Sequence, residues 1–301
     1  MRQETAGSAA YNVLEVFLKT RVISGVAVVA IILAVIWPGG IVSALGIAAI
    51  SSIGFVEFTN ALGINSKENK LSLFQFLGIC ATVAYDLLIF SGADYRMLML
   101  YIVILLPLFM LITVITYPAN NSKQAFSAYV SFVYVAVSLG FLLMTRNLKD
   151  PFVPGVPSSF FNRGFFMSWL IVISAWGCDT CAYFVGVLLG RHKAFPKLSP
   201  KKSIEGCIGG SVGAGLLGLL YAFIVGLIWP VIPGMYWIFP LTCFMGSILG
   251  QVGDLSASAV KRDMGIKDYG KIIPGHGGVL DRFDSIIFTA PMIYLCYVLF
   301  L

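Results

Sequence analysis

The sequence predicts an all-α, polytopic membrane protein of about nine transmembrane helices with its amino end cytoplasmic. Three observations predict it: the composition, the lengths of the apolar runs, and the placement of Lys and Arg. Of 301 residues, 58% are apolar and 11% charged, against roughly 45–50% and about 25% in a soluble domain. In water so apolar a chain would expose large patches and aggregate; in a bilayer the same surface faces lipid.

A spanning helix needs about 20 predominantly apolar residues. Nine segments qualify, at 22–37, 41–63, 71–91, 97–117, 125–145, 165–189, 207–229, 236–260 and 283–301. The first is short, and Pro38-Gly39-Gly40 makes spans one and two a tight hairpin. Periodicity adds nothing here, because lipid-facing helices are apolar all round.

Orientation follows from the excess of Lys and Arg in cytoplasmic loops. With the amino end inside, sixteen of the 20 basic residues fall on the cytoplasmic side. Arg96, Arg146, Lys149 and Arg163 remain outside. Ahead of span one, Arg2, Glu4, Glu15, Lys19 and Arg21 are mixed with apolar residues, which is not the order of a cleaved signal peptide. Residues Tyr11 to Leu18 read as a short interfacial helix.

The net charge of +6 sits in loops between apolar runs. Charge so placed orients the chain and attracts anionic head groups, so the expected partner is the lipid bilayer and not nucleic acid. Most loops are short. The Pro-rich connection 146–164 (Pro151, Pro154, Pro157) is expected outside as a structured link, and 190–206 and 261–282 are expected in the cytoplasm, where most polar residues collect.

All six cysteines lie in or beside apolar segments. Cys178 and Cys181 form a C-x-x-C, but no second pair or neighbouring His completes a zinc set. They read as small groups that pack helices together.

Only a few acids lie inside apolar spans, among them Glu57, Asp86, Asp179 and Asp254. An ionisable group there is costly and by default a functional candidate. Glu57 and Asp86 stand alone and read as carboxyls kept neutral or bonded to a neighbouring helix. Asp179 and Asp254 stand among glycines, in Trp176-Gly177-Cys178-Asp179-Thr180-Cys181 and Gly250-Gln251-Val252-Gly253-Asp254. Small residues at such spacings let helix backbones approach closely.

The third cluster runs Ser258-Ala259-Val260-Lys261-Arg262, then Lys267-Asp268, Pro274-Gly275-His276-Gly277-Gly278 and Asp281-Arg282-Phe283-Asp284. Asp281 and Asp284, three apart, project from one face of the last helix. Mg²⁺ takes one or two carboxylates plus waters and phosphate oxygens, and Asp254, Asp281 and Asp284 can supply that set. The plainer reading is that acids near a helix start complement its dipole, which covers Asp281 but not its company. Glycines at 275–278 let backbone N–H groups turn toward an anion ahead of a helix start. Lys261, Arg262, Lys267 and Arg282 add charge, and Ser199-Pro200-Lys201-Lys202-Ser203 offers a second basic, hydroxyl-bearing loop. Together these point to a metal–polyphosphate site. His276 reads as a phosphate contact or a shaper of the turn, since an ionised phosphate needs no general base. His192, beside Arg191 and Lys193, reads as a head-group contact.

At these residues the sequence resembles the phosphatidate cytidylyltransferases, or CDP-diacylglycerol synthases. Their signature S-x-x-K-R-x4-K-D-x-G, P-x-H-G-G, D-R-x-D is met from Ser258 through Asp284. Asp179-Thr180, Ala182-Tyr183, Gly186, Gly190-Arg191 and Ser199-Pro200-Lys201-Lys202-Ser203 also resemble the family, with Cys181, Ser203 and Ile204 as mild departures. The resemblance is strong over 165–301; before that it is a string of spans.

The resemblance implies CTP and phosphatidic acid as substrates, CDP-diacylglycerol and pyrophosphate as products, Mg²⁺, a homodimer, and a polar cavity open to the cytoplasmic leaflet of the cell membrane. Asp254, Asp281 and Asp284 are then expected as metal ligands, with Asp179 an extra candidate should a second cation bind. Lys261, Arg262 and Arg282 join them in catalysis. Lys201, Lys202, Ser203, Ser258, Lys267, Asp268, His276, Gly277, Gly278 and Asp179 are expected to bind substrate. The chain divides near residue 150 into a five-span scaffold, 1–150, and a catalytic half, 151–301, of four spans and two cytoplasmic polar loops. A transporter with intramembrane carboxylates and a CTP-dependent polyprenol kinase are the alternatives. The expected effect of Asp281→Asn is lost turnover in a folded protein, with Glu57→Gln doing less.

Overall fold

The computed structural model describes residues 23–64, 71–150, 162–229 and 233–301. Nine helices run through them: α1 Ile23–Ile36, α2 Gly40–Ala61, α3 Leu73–Ser91, α4 Tyr95–Thr116, α5 Ser122–Arg146, α6 Arg163–Leu189, α7 Ile204–Ile228, α8 Met235–Asp263 and α9 Leu280–Phe300. Eight are long and apolar enough to cross a bilayer, and α1 is shorter. The chain is an all-α integral membrane protein. The interfacial helix expected at Tyr11 to Leu18, the prolines 151, 154 and 157, and Lys67 and Lys70 lie outside the described residues.

Each expected span coincides with a helix to within about three residues, and the offsets have a cause. Polar caps start helices before the apolar run begins. Asn121 bonds the N–H of Gln124, Asn162 that of Phe165 and Ser203 that of Gly206, satisfying N–H groups that a helix start leaves unpaired. At the far end of α8 the helix continues through Lys261 and Arg262, cations that complement the negative end of the dipole.

The α1–α2 turn is the tight hairpin expected. Gly39 and Gly40 both have positive φ, and the Arg146 guanidinium covers Gly39 while bonding the carbonyls of Ile36 (2.7 Å) and Trp37 (3.3 Å). One arginine thus ties the hairpin to the end of α5.

Two features were not legible in the sequence. First, α5 and α6 each carry a π-helical turn, at Phe132–Val137 and Ile173–Gly177. Second, the 190–203 connection contains an antiparallel hairpin, β1 Lys193–Phe195 and β2 Ser199–Ser203. The Glu205 carboxylate clamps its base, accepting the backbone N–H groups of Arg191 and His192 and pairing with His192 Nδ1 at 2.6 Å. His192 therefore has a partner on the protein.

Lipid is as apolar as leucine, so helix association rests on close packing. A Cβ at Gly210 would lie 3.0 Å from Cys178 Sγ, and one at Gly213 2.6 Å from Cys181 Sγ. The C-x-x-C is the packing device expected, set against glycines of α7. Likewise a Cβ at Gly253 would lie 2.7 Å from the Asp284 carbonyl, so α8 and α9 touch backbone to backbone beside Asp254.

Candidate active site

The polar residues gather at one end of the bundle. There Ser24 Oγ, at the start of α1, donates to the Pro274 carbonyl of the segment 264–279 (2.7 Å), and Lys202 of the β1–β2 hairpin pairs with Asp254 of α8.

Asp281 organises the segment between α8 and α9. Its Oδ1 takes the Lys261 ammonium at 2.8 Å, and its Oδ2 accepts the N–H groups of Tyr269 (2.8 Å) and Gly278 (2.9 Å). Lys261 also lies 5.2 Å from the Tyr269 ring centre, a cation–π contact. The Tyr269 hydroxyl donates to the Ala257 carbonyl, and burial pushes that phenol up. Gly277, at φ +87°, makes the reversal that presents the Gly278 N–H to Asp281, a conformation glycine adopts without strain.

Asp179 on α6, Asp254 on α8 and Asp284 on α9 lie within electrostatic range of one another. Asp254 pairs with Lys202 of β2, and Asp284 uses one oxygen for the N–H of Ser285 at 2.8 Å. Burial alone would lower the Lys202 ammonium pKa. Asp254, helped by Asp179, more than reverses this and leaves it raised. The π turn stands immediately before Cys178-Asp179, and such turns recur where a helix must aim a functional side chain. Trp176, inside it, donates its ring N–H to the Arg282 carbonyl at 3.4 Å.

Three cavities open along this end. The first, about 630 Å³, is lined by Lys267, Asp268, Lys271, Gly275, His276, Gly277 and Arg282. The second, about 280 Å³, shares His276 and Arg282 with it and adds Asp179, Asp281, Asp284, Trp176 and Val28. The third, about 380 Å³, shares Asp179 with the second and is lined by Lys201, Lys202, Ser203, Gln251 and Tyr183. A cationic cavity, an acidic one and a second cationic one thus lie side by side. His276 Nδ1 and Arg282 Nε are buried there without a hydrogen-bond partner, and such groups are costly to leave unpaired.

Not every expected residue enters this arrangement. Arg262 is exposed and bonds the Ile266 carbonyl at 3.4 Å. Ser258 is half-buried on α8, one turn beyond Asp254. Ser203 caps α7 beneath the third cavity. Sequence reasoning gave no partner to Glu57, which the structure places against α9: its carboxylate accepts the N–H groups of Val279 (3.0 Å) and Leu280 (2.8 Å). An acid within an apolar span was the available signal; the partner, over two hundred residues away, was not.

A profile of the cytidylyltransferase family matches residues 19–300, nearly the whole chain. The chain belongs to the cytidylyltransferase family. It is 29% identical over 285 residues to the phosphatidate cytidylyltransferase of Bacillus subtilis strain 168, covering 94% of this chain and 98% of that protein. Against the phosphatidate cytidylyltransferases of Staphylococcus haemolyticus and Staphylococcus aureus strain COL identity is 28%, over 92% of this chain and 97% of each relative. As a member of this family it is a nucleotidyltransferase, and the site just described is its candidate active site.

Among the described residues no group of three or more His, Cys, Asp or Glu side chains is placed to hold a metal ion by itself. The donor chemistry nonetheless fits a hard cation. Asp254 and Asp284 each use one oxygen within the protein, and a partial carboxylate set leaves positions for phosphate oxygens and water, which is how Mg²⁺ is held beside substrate phosphates.

Proposed function

We propose that this cytidylyltransferase transfers CMP from CTP to phosphatidic acid, giving CDP-diacylglycerol and pyrophosphate. The observation that carries the reading is the juxtaposition of Asp179, Asp254 and Asp284 with the cations Lys202, Lys261 and Arg282 and the 275–278 turn, at one end of a membrane bundle. The names of the relatives support it.

A lipid phosphate oxygen attacks the α-phosphorus of CTP. The new P–O bond forms as the bond to the β-phosphate oxygen breaks, and pyrophosphate leaves with that electron pair. Both reactants are anions, so catalysis is charge neutralisation and in-line positioning. Lys267, Lys271, Arg282 and His276 of the larger cavity hold the triphosphate, with Gly277 and Gly278 admitting it close to the backbone. Lys201 and Lys202 hold the phosphatidate head group, whose acyl tails stay in lipid. Asp254 and Asp284 would hold Mg²⁺ together with phosphate oxygens and water, with Asp179 beside them. Asp281, expected from the sequence as a third ligand, has both oxygens taken by Lys261 and the N–H groups of Tyr269 and Gly278, and instead shapes the segment next to them. When bound, the ion neutralises phosphate charge that the lysines and arginine leave.

The basic loops support a site at the cytoplasmic face of the cell membrane, with the amino end inside and α6–α9 as the catalytic half. The assembly is a homodimer on the family resemblance. The test is pyrophosphate release by detergent-purified protein given CTP, phosphatidic acid and Mg²⁺, each omitted in turn. Release that needs all three, with a CDP-lipid product, supports the reading; CDP in place of pyrophosphate would make the enzyme a kinase.

A further inference from the structure

Glu57 stands near the end of α2 with its carboxylate against the glycine turn, and it is not among the residues lining the three cavities. It is 5% exposed. Its two oxygens take two successive N–H groups of the α9 start, Val279 at 3.0 Å and Leu280 at 2.8 Å. The N–H just before them, Gly278, goes to Asp281. Three consecutive amides are therefore shared between an acid of α2 and an acid of α9.

Two glycines make room for this. A Cβ at Gly278 would lie 2.6 Å from both Glu57 oxygens, and a Cβ at Gly270 would meet Glu57 Oε1 and lie 3.1 Å from Gly278 Cα. Both positions belong to the signature segment, and the carboxylate gives each a packing reason to be glycine. The next residue along α2, Phe58, packs its ring at a tilt against Tyr269, with ring centres 5.6 Å apart. Tyr269 in turn donates its N–H to Asp281.

We infer that Glu57 is a positioning residue for the reaction. By holding the Val279 and Leu280 amides it fixes the exit of the glycine turn and the first turn of α9. That sets where Asp281, Arg282 and Asp284 stand relative to the cavities. Glu57 does not touch the reacting atoms; it acts through backbone that carries those that do. A carboxylate suits the task because it accepts two N–H groups at once, whereas an amide turns a donor toward one of them.

The inference rests on the proposed reaction for its kinetic readout, and a structural readout separates the two. In Glu57→Gln the monodisperse, folded enzyme should lose kcat by about 10–100-fold, since a misplacement of about 1 Å can cost that much, while KM for phosphatidate stays within about twofold. A purely structural role would lower melting temperature and active fraction without that split. Gly270→Ala, which pushes on the carboxylate from the other side, should reproduce the defect. The double variant should be no worse than either single one, as expected for groups acting through one contact. Hydrogen exchange of the 277–284 amides should speed up by about tenfold in Glu57→Gln, the scale of one lost charge-assisted hydrogen bond. Unchanged exchange, unchanged kcat, or additive losses would each overturn the role of Glu57. Faster exchange in a protein whose wild type releases no pyrophosphate would leave the role standing and overturn the reaction instead.

Discussion

Lys261 and Asp281 form an ion pair of 2.8 Å in which both side chains are almost fully buried, at 11% and 2% exposure. Removing one member of a buried pair strands the other, at a cost of about 3–5 kcal/mol. Lys261→Met should therefore lower the melting temperature in detergent as well as turnover. Lys261→Met combined with Asp281→Leu should recover part of the stability and none of the activity. If the double variant melts no higher than the single one, the ion pair is not what holds this segment.

The same geometry refines the expectation for Asp281→Asn. Both carboxylate oxygens are engaged by the protein, so the substitution should cost stability together with turnover. Thermal melts beside pyrophosphate assays would separate the two losses.

Asp284 and Asp254 are expected to act on charge. Asp284→Asn should reduce kcat by about 10²–10³-fold, the scale of one lost electrostatic contact in a transition state, with a smaller change in melting temperature than Asp281→Asn. A Mg²⁺ titration in which the variant and wild type half-saturate alike would exclude Asp284 from the cation site.

Lys202 supplies a pH prediction. Its pKa is raised by Asp254 and Asp179 over the opposing effect of burial. The stabilisation from this pair is fully present below the ordinary lysine value of about 10.4 and is lost as pH rises through the higher folded value. Wild type and Lys202→Met should then differ in melting temperature by a steady amount over about pH 7 to 9, below that lysine value. A difference that shrinks across this range would contradict the pairing.

Most of the bundle was legible because bilayer thickness fixes helix length and caps are written in polar residues. The nine spans needed only apolar run lengths, and the helices at Asn121, Asn162 and Ser203 begin earlier because polar caps precede the apolar runs. The site was legible where chemistry is local, as in the turn at 275–278 and the three-residue spacing of Asp281 and Asp284. What stayed hidden depends on tertiary distance. Nothing near Glu57 names Val279, and nothing near Lys202 names Asp254. The β1–β2 hairpin escaped because a loop of lysines and prolines carries no alternating apolar pattern to betray it.

The π turn at Ile173–Gly177 gives α6 one residue more than its period requires. An α-helix turns about 100° per residue, so that extra residue sets the phase of all that follows. Deleting a single residue there, without touching any acid or base, would swing Asp179 about a quarter-turn away from Asp254 and Asp284. In this helix, chain length is itself a determinant of the site, and a one-residue gap between relatives would mark a change in chemistry that no comparison of residue types would reveal.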